Sequence, residues 1–406
     1  MPKKLSVLML SEKFLQLSTP SAQRLLAYAK ALTSNSHKTV IITRSKKSLR
    51  TEKMTVIATP SKKEIPVFDP IPLLFYLIKS ISIIRIHRIN LILSTVPKIN
   101  NAVAGVILSK IFNIPHIIDV RDHWESSLLL YPLNRYVPKG LVTILVALTS
   151  LVYHQASVVI TVNETLKQML HERGIPPNRI YIIPNGADTT LFRPNKNEEQ
   201  IKELRKKHGL PITSLIFVYA GALTPHNRFD ILLKGIGRLR NTNNFMFLMI
   251  TKPMRLITNN KIQQIITKLQ IQEKVKVFDS LPIEKTAELL RCCDVGVIPL
   301  NDEELLKSMT TAKVFAYLAS GLPILASGPN ECELERLINS HKVGIFIGPP
   351  TPKGFANGFK TFLLKKHEMR KMALKGREVM EKYYDRYALS RRIIEAIHRA
   401  TQLPAS

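Results

Sequence analysis

Short runs of consecutive apolar, mostly β-branched residues recur along the 406-residue chain, with amphipathic segments between them. In the first half these runs are 5–10 (LSVLML), 39–44, 90–95, 116–120, 157–162 and 180–184. In the second half they are 215–220, 245–251, 275–278, 295–300, 323–327 and 343–348. A strand that is apolar at every position is buried on both faces, and helices between such strands supply the covering layers of a parallel sheet. The pattern therefore predicts an α/β protein with two Rossmann-like domains, whose parallel sheets face an interdomain cleft. The polar stretch RPNKNEEQ (193–200) reads as a linker. It separates a domain at 1–190 from one at 201–380, with a helical segment at 381–406 able to pack on either.

The segment TTAKVFAYLASGLPILAS (310–327) predicts a helix start, an amphipathic helix, a glycine stop and a buried strand. Thr310 and Thr311 are capping residue types, while Val314, Tyr317 and Leu318 mark an apolar stripe. Gly321 and Pro323 close the helix. Lys313 falls in the first turn, where the helix dipole is already positive. Free backbone N–H groups, the dipole and a lysine together suit a phosphate; a solvent-facing lysine on an ordinary βα unit is the plain alternative.

Two further stretches carry candidate chemistry. In RIYIIPNGADTTLFRP (179–194) a strand ends at the tight turn Asn185-Gly186, with Asp188 and Thr189 placed to cap a short helical turn. In VYAGALTPHNRFDILLKGIGRL (218–239) a strand runs into Gly221, then a loop with His226 and Arg228, then a helix. This is the first βα turn of the second domain, where such folds meet phosphate groups. Glycine admits a ligand close to the backbone and Arg228 offers a planar fork to phosphate oxygens; an exposed loop arginine is the alternative.

In this order and spacing the stretches resemble the family 4 retaining glycosyltransferases (glycosyl transferases group 1), which have the GT-B fold. IIDVRDHW (117–124) is similar to the segment that this family brings to the cleft from the first domain, and the passage 158–194 follows the family's entry into the second. VKVFDSLPIEKTAELLRCCDVGVIPL (275–300) resembles the nucleotide-binding region, and AKVFAYLASGLPILAS (312–327) the signature helix. The resemblance implies metal-free transfer of a sugar from a nucleotide-sugar of the UDP or GDP type, with retained configuration and no cofactor. It gives catalytic roles to Arg121, Asp122 and His123 near the donor sugar, and to Arg228 on the departing diphosphate. Donor binding falls to Asn185, Gly221, Arg228, Ser308, Thr310, Thr311, Lys313 and Ala316. The leaving phosphate would itself take the acceptor proton, so the protein's task would be positioning and charge stabilisation. For Asp122, a cap or a salt bridge to Arg121 is the competing reading.

Three departures stand out. The family's signature has two glutamates eight positions apart, the second on the nucleotide ribose; here these positions are Ser308 and Ala316. Losing the ribose acceptor removes a charge-assisted hydrogen bond of about 1.5–3 kcal/mol. A glycine-rich loop after the first strand is replaced by QLSTPSAQR (16–24), and a glycine turn after 245–251 by TKPMRL (251–256). A catalytically silent relative that binds a nucleotide-sugar or a partner subunit is therefore the alternative function.

Charge changes the picture of partners. Lys and Arg number 59 against 30 Asp and Glu, a net +29. Residues 1–190 hold 24 basic and 10 acidic residues, so +14, and the remainder +15: the excess is spread over both halves. Such a field attracts anions of several kinds. Without RNA-binding aromatic motifs or zinc-finger spacing, nucleic acid is the weaker partner. The three cysteines, Cys292, Cys293 and Cys332, form no disulfide framework, which points to a reducing, cytoplasmic setting. GLVTILVALTSLVY (140–153) is uncharged over 14 residues, too short to span a bilayer. It suits a core helix or, beside Arg135 and Lys139, an anionic interface. With the apolar PIPLLFYLIK (70–79) in the same acceptor-side domain, it favours peripheral membrane contact and a lipid-linked or glycan acceptor.

Overall fold

The computed structural model describes residues 4–11, 14, 19–44, 48–59, 70–127, 139–195, 197–251 and 255–402, with backbone alone at 70–72, 126–127, 139 and 255–260. It divides into two compact units, one of Met1–Pro184 with Arg386–Ser406, the other Asn185–Asp385.

The first unit is built on β1 (Ser6–Ser11), β2 (Lys38–Arg44), β3 (Leu49–Arg50), β4 (Met54–Thr59), β5 (Leu91–Thr95), β6 (His116–Asp119), β7 (Val158–Thr161) and β8 (Ile180–Ile182). They form one sheet in the order β3-β4-β2-β1-β5-β6-β7-β8, parallel except for the β3–β4 pair. Leu8, Leu10, Val40, Ile42 and Ile92 share a core with the Pro70–His87 and Ile99–Phe112 helices. Further along the sheet, Ile118 and Val159 share one with the Lys139–His154 and Glu164–Glu172 helices. The Arg392–Gln402 helix buries Ile393, Ala396, Ile397 and Ala400, packing on β6, β7 and the Pro20–Ser34 helix.

The second unit holds β9 (Leu215–Ala220), β10 (Phe245–Thr251), β11 (Val275–Asp279), β12 (Val295–Pro299), β13 (Ile324–Ser327) and β14 (Gly344–Ile347), all parallel, in the order β11-β10-β9-β12-β13-β14. Phe217 on β9 lies 4.1 Å, ring to ring, from Phe359 of the Pro352–Leu364 helix. The order of both sheets steps outward from a first strand in two directions, so the strand ends beside that reversal are where a doubly wound sheet takes its ligand.

All twelve apolar runs are strands, to within a residue or two at their ends. Two strands, β3 and β4, were not anticipated: they lie at the sheet edge, where β4 is only partly buried. Within the 193–200 stretch, residues 198–200 already belong to a helix. The division falls after Pro184, and Glu198–Lys207 is a helix of the second unit, capped by Asn197, whose side chain accepts from the amides of Glu199 and Gln200. Asn-Glu-Glu reads as linker by polarity but is also a helix start, and the cap decides. The C-terminal helix sits in the first unit.

One buried ion pair ties the first unit together. Arg24 donates from Nε to Asp119 Oδ2 at 3.1 Å and from Nη2 to Asp119 Oδ1 at 2.9 Å, while Nη1 reaches the Pro184 carbonyl at 3.1 Å. Both residues are buried. Asp119→Ala leaves a guanidinium in the interior without its carboxylate, and should cost about 3–5 kcal/mol in denaturant unfolding of this unit. The double variant Arg24→Met, Asp119→Leu should recover most of that loss. Equal losses in both would show that the pair's charge is unimportant.

Candidate functional site

The second unit assembles most of the expected donor residues at the ends of β9 and β12. The signature helix runs Ala312–Ala319, with Thr311 at its N-cap and Gly321 left-handed at φ +76 just beyond its end. Val314, Phe315, Tyr317 and Leu318 are buried, so residues 312, 313 and 316, which are half-buried, form its other face. Tyr317 fixes where that face looks. Its ring lies on β12 at Gly296, where any Cβ would collide with it. Its hydroxyl accepts the Ala220 amide at 2.7 Å, at the end of β9.

The next residue, Gly221, is therefore held beside the helix's first turn. The Lys313 side chain lies across Gly221 so closely that a Cβ there would overlap its Cε. Its amine sits 5.1 Å from the centre of the Tyr219 ring, a cation–π distance. Among the described residues Lys313 has no carboxylate within ion-pair reach. Burial accordingly lowers its pKa to about 8. His226 is also pushed down, by burial and then by Lys313. The Thr311 hydroxyl is buried without a hydrogen-bond partner among the described residues, so the helix start lacks a side-chain cap.

Arg228 is differently placed. Its amide donates to the Pro299 carbonyl at 2.7 Å, seating the loop on the end of β12. Its guanidinium is forked onto Asp230, Nε to Oδ1 at 2.9 Å and Nη2 to Oδ2 at 3.0 Å. Those bonds raise the Arg228 pKa and lower that of Asp230. The expected open fork is thus occupied by a carboxylate two residues on. Ser308 is buried, and Ala316 presents only a methyl on the half-buried helix face.

Asn185 opens the second unit, before a turn held from far along the chain. Thr189 donates from Oγ1 to Asp385 at 2.6 Å, and Asp188 Oδ1 accepts the amides of Thr190 and Leu191. Arg377 donates to the carbonyls of Thr189 (3.0 Å), Phe192 (2.8 Å) and Ala319 (2.6 Å). It thereby joins this turn to the end of the signature helix. Arg377, Asp230 and Asp385 were missed in sequence. Only Asp230, two residues from Arg228, offered a local signal.

In the first unit Arg121, Asp122 and His123 follow β6. Arg121 turns to the Val96 carbonyl, Nη2 to O at 2.6 Å, and toward Asp119 at 3.9 Å. No salt bridge to Asp122 forms. One Asp122 oxygen is buried without a hydrogen-bond partner among the described residues, and burial raises its pKa. Burial, and then the charge of Arg173, lower His123 to about 4, so it is a neutral imidazole at pH 7. Arg135, residues 16–18 and residues 252–254 lie outside the described residues.

Family models match both units: Glycosyltransferase Family 4 over residues 21–191, and Glycosyl transferases group 1 over residues 200–379. The chain belongs to this family. By sequence it is 20% identical over 208 residues to the D-inositol 3-phosphate glycosyltransferase of Corynebacterium glutamicum, covering 50% of this chain and 48% of that one. The chain thus spans about half the length of the relatives it matches by sequence. By structure it resembles a glycosyltransferase from Rickettsia africae at TM-score 0.76 and 16% identity, over 98% of this chain and 99% of that one. It also resembles Anabaena Alr3699/HepE in complex with UDP-glucose at TM-score 0.71 and 15% identity, over 97% and 99%. The fold is GT-B.

The Tyr317 contact generates a test. Tyr317→Phe removes the acceptor of the Ala220 amide and should destabilise the second unit by about 1–2 kcal/mol in denaturant titration. Unchanged stability would show that the helix is positioned by other contacts.

Proposed function

We propose that this chain transfers a sugar from a nucleotide-sugar to a lipid-linked or glycan acceptor, with retained configuration, without a metal and at an anionic membrane surface. The observation that carries the donor reading is the Lys313 amine, laid over Gly221 at an uncapped helix start with no carboxylate beside it among the described residues. A diphosphate supplies the charge this amine lacks and accepts from the helix amides and the Thr311 hydroxyl. The UDP-glucose complex of Anabaena Alr3699/HepE, a protein of the same fold, supports a donor of this class.

In the reaction the bond from the sugar's anomeric carbon to the β-phosphate oxygen breaks, and the acceptor oxygen bonds to that carbon from the same face. The leaving phosphate takes the acceptor proton. Negative charge grows on the diphosphate, so Lys313 and Arg228 act most strongly in the transition state. For Arg228 this requires exchanging the Asp230 carboxylate for phosphate oxygens, a like-for-like replacement of one anion by another. Arg121, Asp122 and His123 act on the donor sugar, and Asn185, Ser308, Thr310 and Ala316 border the nucleotide. A second reading, a silent nucleotide-sugar binder, is favoured by Ala316 and by the closed Arg228–Asp230 pair.

Calorimetric titration with UDP, GDP and ADP tests the donor reading. One of them should bind, and Lys313→Met should weaken it by at least about tenfold. The amine is charged below its pKa and neutral above it. Wild-type affinity should therefore fall as pH rises through about 8, a fall absent from Lys313→Met. Binding of none of the three refutes the proposal; binding without turnover on any nucleotide-sugar leaves the silent reading.

Turnover should persist in excess EDTA and drop at least about tenfold in Arg228→Ala. Strict dependence on an added divalent ion would remove the metal-free mechanism.

A further inference from the structure

We propose that the outer face of three helices in the first unit, Pro70–His87, Ile99–Phe112 and Lys139–His154, is a docking surface for an anionic lipid bilayer. The Ile99–Phe112 helix packs against both others, and their inward side chains, such as Tyr76, Ile84 and Tyr153, enter the cores over the sheet. The outward side chains should then be polar. They are not. Leu74, Ile78 and Ile86 follow one another at helical spacing on the first helix, each more than half exposed. Leu141, Ile144, Leu148 and Leu151 do the same on the third, and Ile111 is exposed on the helix between them. With Phe75, these make nine of the fourteen exposed large hydrophobic side chains among the described residues, gathered on one face of one unit. An apolar patch so concentrated marks an interaction surface rather than scattered exposure.

Charge selects the occupant. From 70 to 118, and again over 139–154, the sequence has no Asp or Glu. Lys79, Arg85, Arg88 and Lys110 are exposed on or beside the apolar stripes. Lys79 stands 5.7 Å over the Phe75 ring, an apolar stem with its charge at the edge. A second copy docked by a two-fold axis sets this same basic face against itself, so like charges meet without a carboxylate in either helix layer. A bilayer of anionic lipid offers hydrocarbon to the leucines and headgroup charge to the cations together. Among the described residues no helix is long and apolar enough to cross a membrane, so contact lies in the interface. This deepens the membrane and acceptor reading above by assigning the surface and its residues.

The test is flotation of the full chain with vesicles, read without donor or turnover so that either reading can fail alone. Wild type should float with phosphatidylglycerol-containing vesicles at low salt, less at high salt, and weakly with phosphatidylcholine alone. The double variant Ile144→Glu, Leu148→Glu should bind at least about tenfold less with an unchanged melting temperature. Leu374→Glu, an exposed leucine of the second unit, should float as wild type. Should the double variant unfold, Ile78→Glu on the neighbouring helix repeats the test. Failure of wild type to float on anionic vesicles overturns the proposal, as does undiminished flotation of the folded variants. A lipid-free wild-type dimer that these substitutions dissociate overturns it too, because the occupant is then a second copy.

Discussion

A tyrosine ring can lie flat on an interior strand only where that strand carries no side chain, and Gly296 supplies the space for Tyr317. From this contact the local geometry follows in sequence. The ring's position brings its hydroxyl to the Ala220 amide, which fixes the end of β9 relative to the signature helix. The helix turns its half-buried face toward Gly221, the next residue, and Lys313 fills the space that a Cβ would have taken. Two missing side chains thus bring an amine, a strand end and a helix start into one place. The energy of any one contact is small, but a packed interior does not deform gradually, so the arrangement is held as a unit.

The two cations of this site differ in how their charge is met. Arg228 is partly exposed and paired with a carboxylate, so its charge is satisfied before a ligand arrives and binding is an exchange. Lys313 is partly withdrawn from water, has an aromatic face for company, and its pKa is lowered by burial. A destabilised charge binds an anion with more of its Coulombic energy left over, because its desolvation has already taken place during folding. On that argument Lys313 would be the stronger phosphate partner in the proposed function. In the proposed reaction the arginine would contribute once charge on the leaving group has grown enough to compete with Asp230.

What sequence could show was set by the range of the interactions involved. Apolar strands declare themselves through their own residues, which is why β1 or β13 was legible, while β4, mostly half-buried near a sheet edge, was not. At 193–200 polarity was the local cue, and it hid the helix start capped by Asn197. The tie between the start and the far end of the second unit was hidden too, since Asp385 and Arg377 reach back almost two hundred residues to Thr189. The candidate glycines and lysine were visible as types, but their meeting was not: Ala220 and Tyr317 are 97 positions apart. For Arg121 and Asp122, adjacency suggested a salt bridge, and the structure sends the arginine to Val96 and Asp119 instead.

The first unit poses the opposite problem, since its helices at 70–87 and 139–154 were conspicuous in sequence for being apolar without saying which side was covered. A helix that is apolar all round has no preferred face, so periodicity is silent and burial in a core is the ordinary expectation. Only the sheet breaks the tie, by taking one side and leaving leucines on the other. The global excess of cations is equally silent on its own, being shared between the two units. It acquires direction where the sequence omits carboxylates altogether, across 70–118, in the same helices whose outer faces are apolar. Hydrophobic surface alone would fit many partners, and positive charge alone would fit as many. Their coincidence on one helical layer is what narrows the choice, because a partner must be apolar and anionic over the same area.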